Sequence, residues 1–594
     1  MKKEKWLVAA KKADFNEWAN VFHISPVLAR IIRNRDVIDT DQVSRYLHGT
    51  MKDCYSPWLL HGMEAAIELI CKRASAGVKI RVIGDYDVDG ICSSYILTEG
   101  LRLFGADVDT AIPHRIKDGY GLNEQLIREA YDAGIGCIIT CDNGIAAAEQ
   151  IAMAKSLGMT VIVTDHHEVP FEESGQILPP ADVVIDPKQE CCAYPFKSIC
   201  GAVVAYKFIE ALQEKTQFIT IEELRAAFLP FAAMATVCDV MELKDENRII
   251  VKEGLKLLDS TKNLGIRALL EVNQLEPESI NAYHMGFVIG PCLNATGRLD
   301  TAKRALELLQ SKTKAEAISA ATELKQLNDS RKNLTLQGVQ EAEELILQEG
   351  LDQDKVMIVY LPHVHESLAG IIAGRIREKY YHPVFVLTDS EEGIKGSGRS
   401  IDNYHMFEGL TAAKDYLTKF GGHKLAAGLS LKSENLYLLR NVLNENAQLS
   451  EEDFVPVVHI DVPMPMGYAT LELAKQLQLL EPFGVGNPKP LFAQKDVIFV
   501  GAKRIGVNGN FARFTVLVDR GGQYKREDLM FFGDLENFCA FLDQKYGAGS
   551  AQKLFGSAGD WAGQGSFAVS ITYQVGVNRY RGKESLQYIM QNYC

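Results

Sequence analysis

Apolar positions change their spacing several times along the chain, and each change predicts a different kind of structure. From 79 to about 245, short β-rich apolar runs at 79–84, 137–140, 160–164 and 181–185 alternate with helical segments. That alternation predicts a parallel α/β sheet, whose ligand sites lie at the carboxyl ends of its strands. Residues 1 to 75 read as mostly helical, with Asp41 positioned to cap a helix through Val43, Tyr46 and Leu47. Residues 301–349 are charged and rich in Ala, Leu, Glu, Lys and Gln, with no Pro and no Gly except Gly338. They predict one or two long solvated helices bridging domains. A second α/β unit runs from Lys355 to about 450 and opens on a strand at 356–360. The segment from about 455 to 594 has short strands at 497–500, 511–518 and 567–575, with Gly-Asn and Gly-Gly turns, and predicts a small β-barrel.

A chain of 594 residues is too long for one core, and these transitions divide it at 1–75, 76–300, 301–350, 351–452 and 453–594. No run approaches the ~20 apolar residues of a membrane span, and the apolar stretch from Trp6 to Ala10 is too short for a signal-peptide core. The twelve cysteines are scattered and form no spaced CxxC pairs. They read as reduced thiols in a cytoplasmic protein. A net charge of −14 gives no basic footprint for nucleic acid. A metal-binding nuclease must nevertheless cluster carboxylates, so a nucleic-acid reading has to rest on sites.

The chemistry is concentrated at the ends of four apolar segments, all read as strand ends. Gly84-Asp85-Tyr86-Asp87-Val88-Asp89-Gly90 puts three carboxylates at alternate positions after a strand. Such a cluster repels itself unless a cation relieves it. Asp89 also fits as the cap of a helix starting near Ile91. Asp142 follows the second run in Thr140-Cys141-Asp142-Asn143-Gly144, which alone is equally an ordinary strand-to-helix turn. Asp165-His166-His167 ends the third run, and carboxylate with imidazole suits Mn²⁺, Fe²⁺ or Zn²⁺. Asp239 ends the apolar stretch from Phe228, as either a cap or a ligand. Taken together, the four supply oxygen and nitrogen ligands for two metals, the arrangement that suits in-line attack of water on a phosphodiester.

Asp85-Tyr86-Asp87, Asp142, Asp165-His166-His167 and Asp239 resemble, in order, the four motifs of the DHH phosphoesterase superfamily. The resemblance implies that Asp85, Asp87, Asp142, His166 and Asp239 bind two divalent ions, usually Mn²⁺ with Mg²⁺ as the alternative, and that Asp142 bridges them. It implies His167 and Asp165 as the catalytic pair, with His167 facing the scissile phosphate and Asp165 orienting a histidine. Further motifs are similar to those of the RecJ exonuclease family within the superfamily. These are the basic segment 112–121 with Arg115, and Gly290-Pro291-Cys292-Leu293-Asn294-Ala295-Thr296-Gly297-Arg298-Leu299 before the connecting helix. Gly396-Ser397-Gly398-Arg399-Ser400 and Gly421-Gly422-His423-Lys424 look like the DHHA1 domain.

The resemblance implies substrate contacts at Arg115, Asn294, Arg298, Ser397, Arg399, Gly422 and His423, with Arg375 in a family-like stretch. Ser367 stands where the family often has Gly. The C-terminal motifs 480–488 and 578–582 are similar to the family's OB-fold domain, with Lys503, Arg504, Arg513 and Phe514 as groove candidates. The implied fold is a multidomain α/β chain: a parallel-sheet DHH domain, a smaller α/β DHHA1 domain joined by a long helix, and a C-terminal OB barrel. The implied activity is 5′-to-3′ degradation of single-stranded DNA to mononucleotides in recombination and repair. The family partners would be a single-strand-binding protein and a RecQ-type helicase, and the chain reads as a monomer. An oligoribonuclease or nucleotidase of the same superfamily, or a non-catalytic scaffold, are the alternatives.

Overall fold

The structure, a computed structural model, describes residues 4–114, 121–173, 175–299, 302–390, 393–556 and 566–594. It divides into two compact units, one of Cys54–Met241 and Ile249–Val455, the other of Met1–Asp53, Glu242–Arg248 and Pro456–Cys594. Among the described residues, no helix is long and apolar enough to cross a membrane.

The first unit contains two sheets. Strands β1 (Ile80–Ile83), β2 (Val108–Ala111), β3 (Cys137–Cys141), β4 (Thr160–Thr164) and β5 (Val183–Ile185) run parallel in the order β2-β1-β3-β4-β5. Every residue of β3 and β4 is buried, which is why these strands read as unbroken apolar runs rather than alternating ones. Ile83 pairs with Thr140, Thr140 with Val163, and Thr164 with Ile185, so the carboxyl ends of β1, β3, β4 and β5 form one edge. The chain passes from β1 outward to β2 and returns to the other side of β1 as β3. A topological switch point therefore falls between β1 and β3, where a ligand crevice opens.

Helices α1 (Val88–Phe104), α2 (Gly201–Thr216) and α3 (Ile221–Cys238) pack in this unit. The segment ending at Asp239 is a helix and not a strand, which corrects the sequence expectation. Thr220 and Glu223 close a capping box at its start, and every residue from Phe228 to Thr236 is buried. A helix buried all round loses its polar face, and with it the 3.6-residue period that would have identified it.

After α4 (Gly290–Leu299) come a short α5 (Lys303–Leu309) and the long α6 (Lys314–Glu349), capped by Thr313 with Glu316. The second sheet contains β6 (Met357–Tyr360), β7 (Val384–Ser390), β8 (Gly393–Arg399), β9 (Lys419–Gly422) and β10 (Ala426–Leu431), in the order β9-β10-β8-β7-β6. Only β6 and β7 are parallel. Helix α7 (Glu366–Tyr380) packs on β7 and β8.

The other unit is built on a closed barrel of β11 (Phe492–Ile505), β12 (Phe511–Asp519), β13 (Tyr524–Phe531), β14 (Phe567–Tyr580) and β15 (Lys583–Tyr593), ordered β11-β12-β13-β15-β14. Along β12, Ala512, Phe514, Val516 and Val518 point into the core. Phe514 is thus a core residue touching Phe499, Phe531 and Phe538, and not the groove residue the sequence suggested. Arg504 pairs with Glu536 and Arg513 with Asp528, while Lys503 is exposed.

The N-terminal region is helical but does not stand alone. Trp18, Leu28, Ile31, Ile32 and Val43 join the barrel's core, and a strand at Lys5–Val8 pairs in parallel with Val457–Ile460. Asp39, not Asp41, caps Thr40–His48 by accepting the Gln42 N–H at 2.8 Å. Arg35 and Asp461 form a buried ion pair at 2.6 Å, with Asp461 also accepting the Leu491 N–H.

Candidate metal centre

Each group of the centre is set by a local feature of the chain. Asp87 is the N-cap of α1 and accepts the Gly90 N–H at 3.0 Å, so the acidic turn after β1 is also a helix start. Past β3, Asp142 is buried and holds φ +60°, with its N–H donating to Thr164 O at 3.2 Å. That left-handed backbone is rare outside Gly, Asn and Asp. Asn143, for which the sequence motif assigns no role, is fully buried and donates its amide to Ile83 O (3.1 Å) and Cys141 O (2.9 Å). It ties the ends of β1 and β3 across the switch point. The signal for it was a polar residue next to a carboxylate at a strand end.

After β4, Asp165 is buried and acts as an organiser. Its Oδ2 accepts the Ile145 N–H (2.9 Å), and its Oδ1 accepts the His166 N–H (2.7 Å). His167 Nδ1 lies 2.7 Å from the same Oδ1. Asp239, at the C-terminal cap of α3, supplies the fourth side. His166 Nε2 is 3.0 Å from Asp142 Oδ1, 3.5 Å from Asp89 Oδ2 and 3.8 Å from Asp239 Oδ2.

Three sets of potential ligand atoms each fall within 4.8 Å: Asp85, Asp87 and Asp142; Asp142, His166 and His167; and Asp89, His166 and Asp239. Asp142 and His166 each belong to two sets, so the sets adjoin. The five residues proposed as ligands are brought together, and Asp89 is added to them. Asp89 does not cap its own helix, as the sequence suggested. Its two oxygens accept the Gly201 and Ala202 N–H groups, both at 2.7 Å, at the start of α2.

The electrostatics of the cluster call for a cation. Burial pushes Asp142 well above the usual carboxylate range, and Asp89, Asp87, Asp85 and Asp165 push it further. Burial, then Asp89 and Asp87, raises Asp239 to about 8. Burial and Asp87 raise Asp89 to about 6. Burial, then His167, lowers His166 to about 3 and holds it as the neutral imidazole that a metal needs. For His167, burial alone would lower the pKa. The bond to Asp165 and the fields of Asp165, Asp89 and Asp239 outweigh it and bring it to about 9. Hard carboxylate oxygens with one buried neutral imidazole fit a divalent cation of the Mn²⁺ or Mg²⁺ kind.

Helix α4 supports the acidic turn from behind. Asn294 Oδ1 accepts the Val88 N–H at 3.1 Å, so this residue, read as a substrate contact, binds the turn itself. A Cβ on Gly297 would lie 2.6 Å from the Tyr86 carbonyl oxygen. Gly297→Ala therefore has to shift the turn between Asp85 and Asp87. The expected result is a fall of about 10- to 100-fold in metal-dependent turnover at unchanged far-UV circular dichroism, because a displacement near 1 Å costs about that much. Turnover within twofold of the unsubstituted protein would refute this. Arg115 and the side chain of Arg298 lie outside the described residues.

In the second sheet, a cavity of about 550 Å³ is lined by Ser397, Arg399, Ser367, Gly370, Lys395 and Lys419, with Tyr86 of the acidic turn also on its wall. Arg399 donates to Gly398 O at 2.8 Å and to Ser397 Oγ at 3.4 Å. Burial, then Arg377, lowers its pKa, so the guanidinium sits near like charge and favours an anion. A Cβ on Gly370 would lie 2.8 Å from Ser397 Oγ, so a glycine there keeps α7 clear of this pair. Gly421 lines the cavity, whereas Gly422 (φ +145°) and His423 are exposed at the β9–β10 turn and are not among its lining residues. Arg375 is exposed, 3.7 Å from Glu378, and is also not among the lining residues.

Three family models match the chain: the DHH family, N-terminal domain at residues 79–236, the DHHA1 domain at 353–449 and the RecJ OB domain at 460–592. The single-stranded-DNA-specific exonuclease RecJ of Bacillus subtilis (strain 168) is 37% identical over 498 residues, a match spanning 83% of this chain and 62% of that protein. The protein of the same name from Escherichia coli (strain K12) is 32% identical over 609 residues, covering 98% and 99% of the two chains. Among solved structures, RecJ of Thermus thermophilus in complex with Mn²⁺ superposes with a TM-score of 0.79 at 26% identity, over 99% of this chain and 79% of that one.

Proposed function

The chain belongs to the RecJ family of single-stranded-DNA-specific exonucleases, and from that premise we propose that it shortens single-stranded DNA from the 5′ end and releases mononucleotides by hydrolysis with two divalent ions, Mn²⁺ first. The observation that carries this reading is the row of three adjoining ligand sets, joined through Asp142 on one side and His166 on the other, beside a cavity with an anion-seeking Arg399. Bound divalent ions would lower the pKa of the attacking water and neutralise charge on the phosphoryl group.

The chain's own groups do the rest. Asp85, Asp87, Asp142, His166 and Asp239 hold the ions. Asp165 fixes the ring of His167 through Nδ1 and keeps it protonated, so that the imidazolium donates to a phosphate oxygen at the scissile bond. Ser397 and Arg399 bind the 5′-terminal phosphate, and the barrel domain raises affinity for long strands. Working alongside a single-strand-binding protein and a RecQ-type helicase in cytoplasmic recombination and repair follows from the same family reading.

The test is degradation of a long single strand labelled at either end, with Mn²⁺ or with EDTA. Immediate release of the 5′-terminal mononucleotide, abolished by EDTA and restored by Mn²⁺, is expected. Release from the 3′ end, or rapid cleavage of dinucleotides with long strands untouched, would overturn the proposal.

A further inference from the structure

The helix that supports the acidic turn begins earlier than α4. Ala282–His284 runs through a π-helical turn at Met285–Ile289 into Gly290–Leu299. Before α4 it carries two large rings that the protein does not bury. Tyr283 is 62% exposed and Phe287 67% exposed, and the rings stack on one another at 5.0 Å with planes 23° apart. Stacked and exposed together, the two rings form one apolar surface able to take a further planar group.

The position of the pair indicates what that occupant is. Met285 O accepts from Cys238 Sγ at 3.5 Å, a Cβ on Gly286 would touch Val237, and one on Gly290 would overlap Cys238. This part of the helix is therefore seated on the last turn of α3, whose cap is the candidate ligand Asp239. Val240 follows at once, 64% exposed and at φ +59°, a strained backbone for a β-branched residue. Exposed apolar surface, π-helical winding and strain thus converge at the turn that carries Asp239.

We propose that Tyr283 and Phe287 form a stacking platform for a base of the DNA strand close to the phosphate being cleaved. The inference rests on the exonuclease reading above and adds to it a positioning device that no sequence motif indicated. Every base has a π-face, so such a platform holds the strand without sequence preference.

The test compares the full-length protein with the Tyr283→Ala/Phe287→Ala double variant on long oligothymidylate and on oligothymidylates carrying one abasic site, moved stepwise from the 5′ end. The variant is expected to raise KM for the unmodified strand about 10- to 100-fold, while the thermal midpoint is unchanged because both rings are exposed. The unsubstituted protein is expected to lose a similar factor when the abasic site occupies one particular position. The double variant should lose nothing further there, and Tyr283→Phe should behave as unsubstituted. An unchanged KM, or equal abasic sensitivity of both proteins at every position, would overturn the platform while leaving the exonuclease reading intact. An unsubstituted protein inactive on long strands would instead overturn that reading, and this inference with it.

Discussion

Replacing Asp142 with asparagine is expected to lower degradation of single-stranded DNA by at least about 1,000-fold and to abolish the stabilisation that Mn²⁺ gives the folded protein. Asp142 belongs to two of the three ligand sets and lies 3.0 Å from His166 Nε2, so its loss affects both sides of the centre. Asparagine is the informative substitution because it accepts φ +60°, whereas alanine would add backbone strain to the loss of charge. The sign on stability reverses when metal is removed.

A buried carboxylate whose pKa is raised in the folded state favours folding below its unfolded pKa, and that contribution is lost as pH rises through the folded pKa. For Asp239 the window runs from its ordinary value of 3.8 to about 8, and Asp142 is raised in the same direction. With EDTA present, the thermal midpoint should therefore fall as pH rises across this window, and Asp142→Asn should fall less. Thermal scans with EDTA and with Mn²⁺ across that range decide the matter. An Asp142→Asn protein that keeps a tenth of its activity, or still gains stability from Mn²⁺, would show that the residue is not the shared ligand.

Asp89→Ala should be the most destabilising substitution among the acidic positions of this turn, costing about 2–4 kcal/mol. The reason is that it leaves the buried Gly201 and Ala202 N–H groups at the start of α2 with no carboxylate to accept them. Release of a charge that is buried, then relief of repulsion with Asp87, offsets part of this at pH 7, because these two raise Asp89 to about 6 in the folded protein. Asp87→Ala, which removes only a cap bond to the Gly90 N–H, should cost about 1 kcal/mol. Urea unfolding of the metal-free proteins at neutral pH measures both. If the two variants unfold at the same urea concentration, Asp89 does not join the acidic turn to α2.

The sequence determined a good part of this. Alternating β-rich and helical segments carried the parallel sheet, because strands buried on both faces must be apolar throughout. The four carboxylates at 85, 87, 142 and 239 and the imidazole at 166 were legible as candidates because mutual repulsion makes such a set improbable without a cation. Composition alone revealed the long helix at Lys314–Glu349. What the sequence could not carry were relations across space. Asp239 follows a helix and not a strand, since all-round burial erases helical periodicity. Asp89 accepts from a helix more than a hundred residues further on, and no local pattern distinguishes that from a cap on its own helix. Phe514 and the N-terminal helices belong to the barrel's core because tertiary packing selects which apolar surfaces are covered. Asn143 and Gly297 count only through the backbone they touch. Residue types fixed what chemistry was available, and the tertiary structure, by setting distances and burial, decided which of those groups meet.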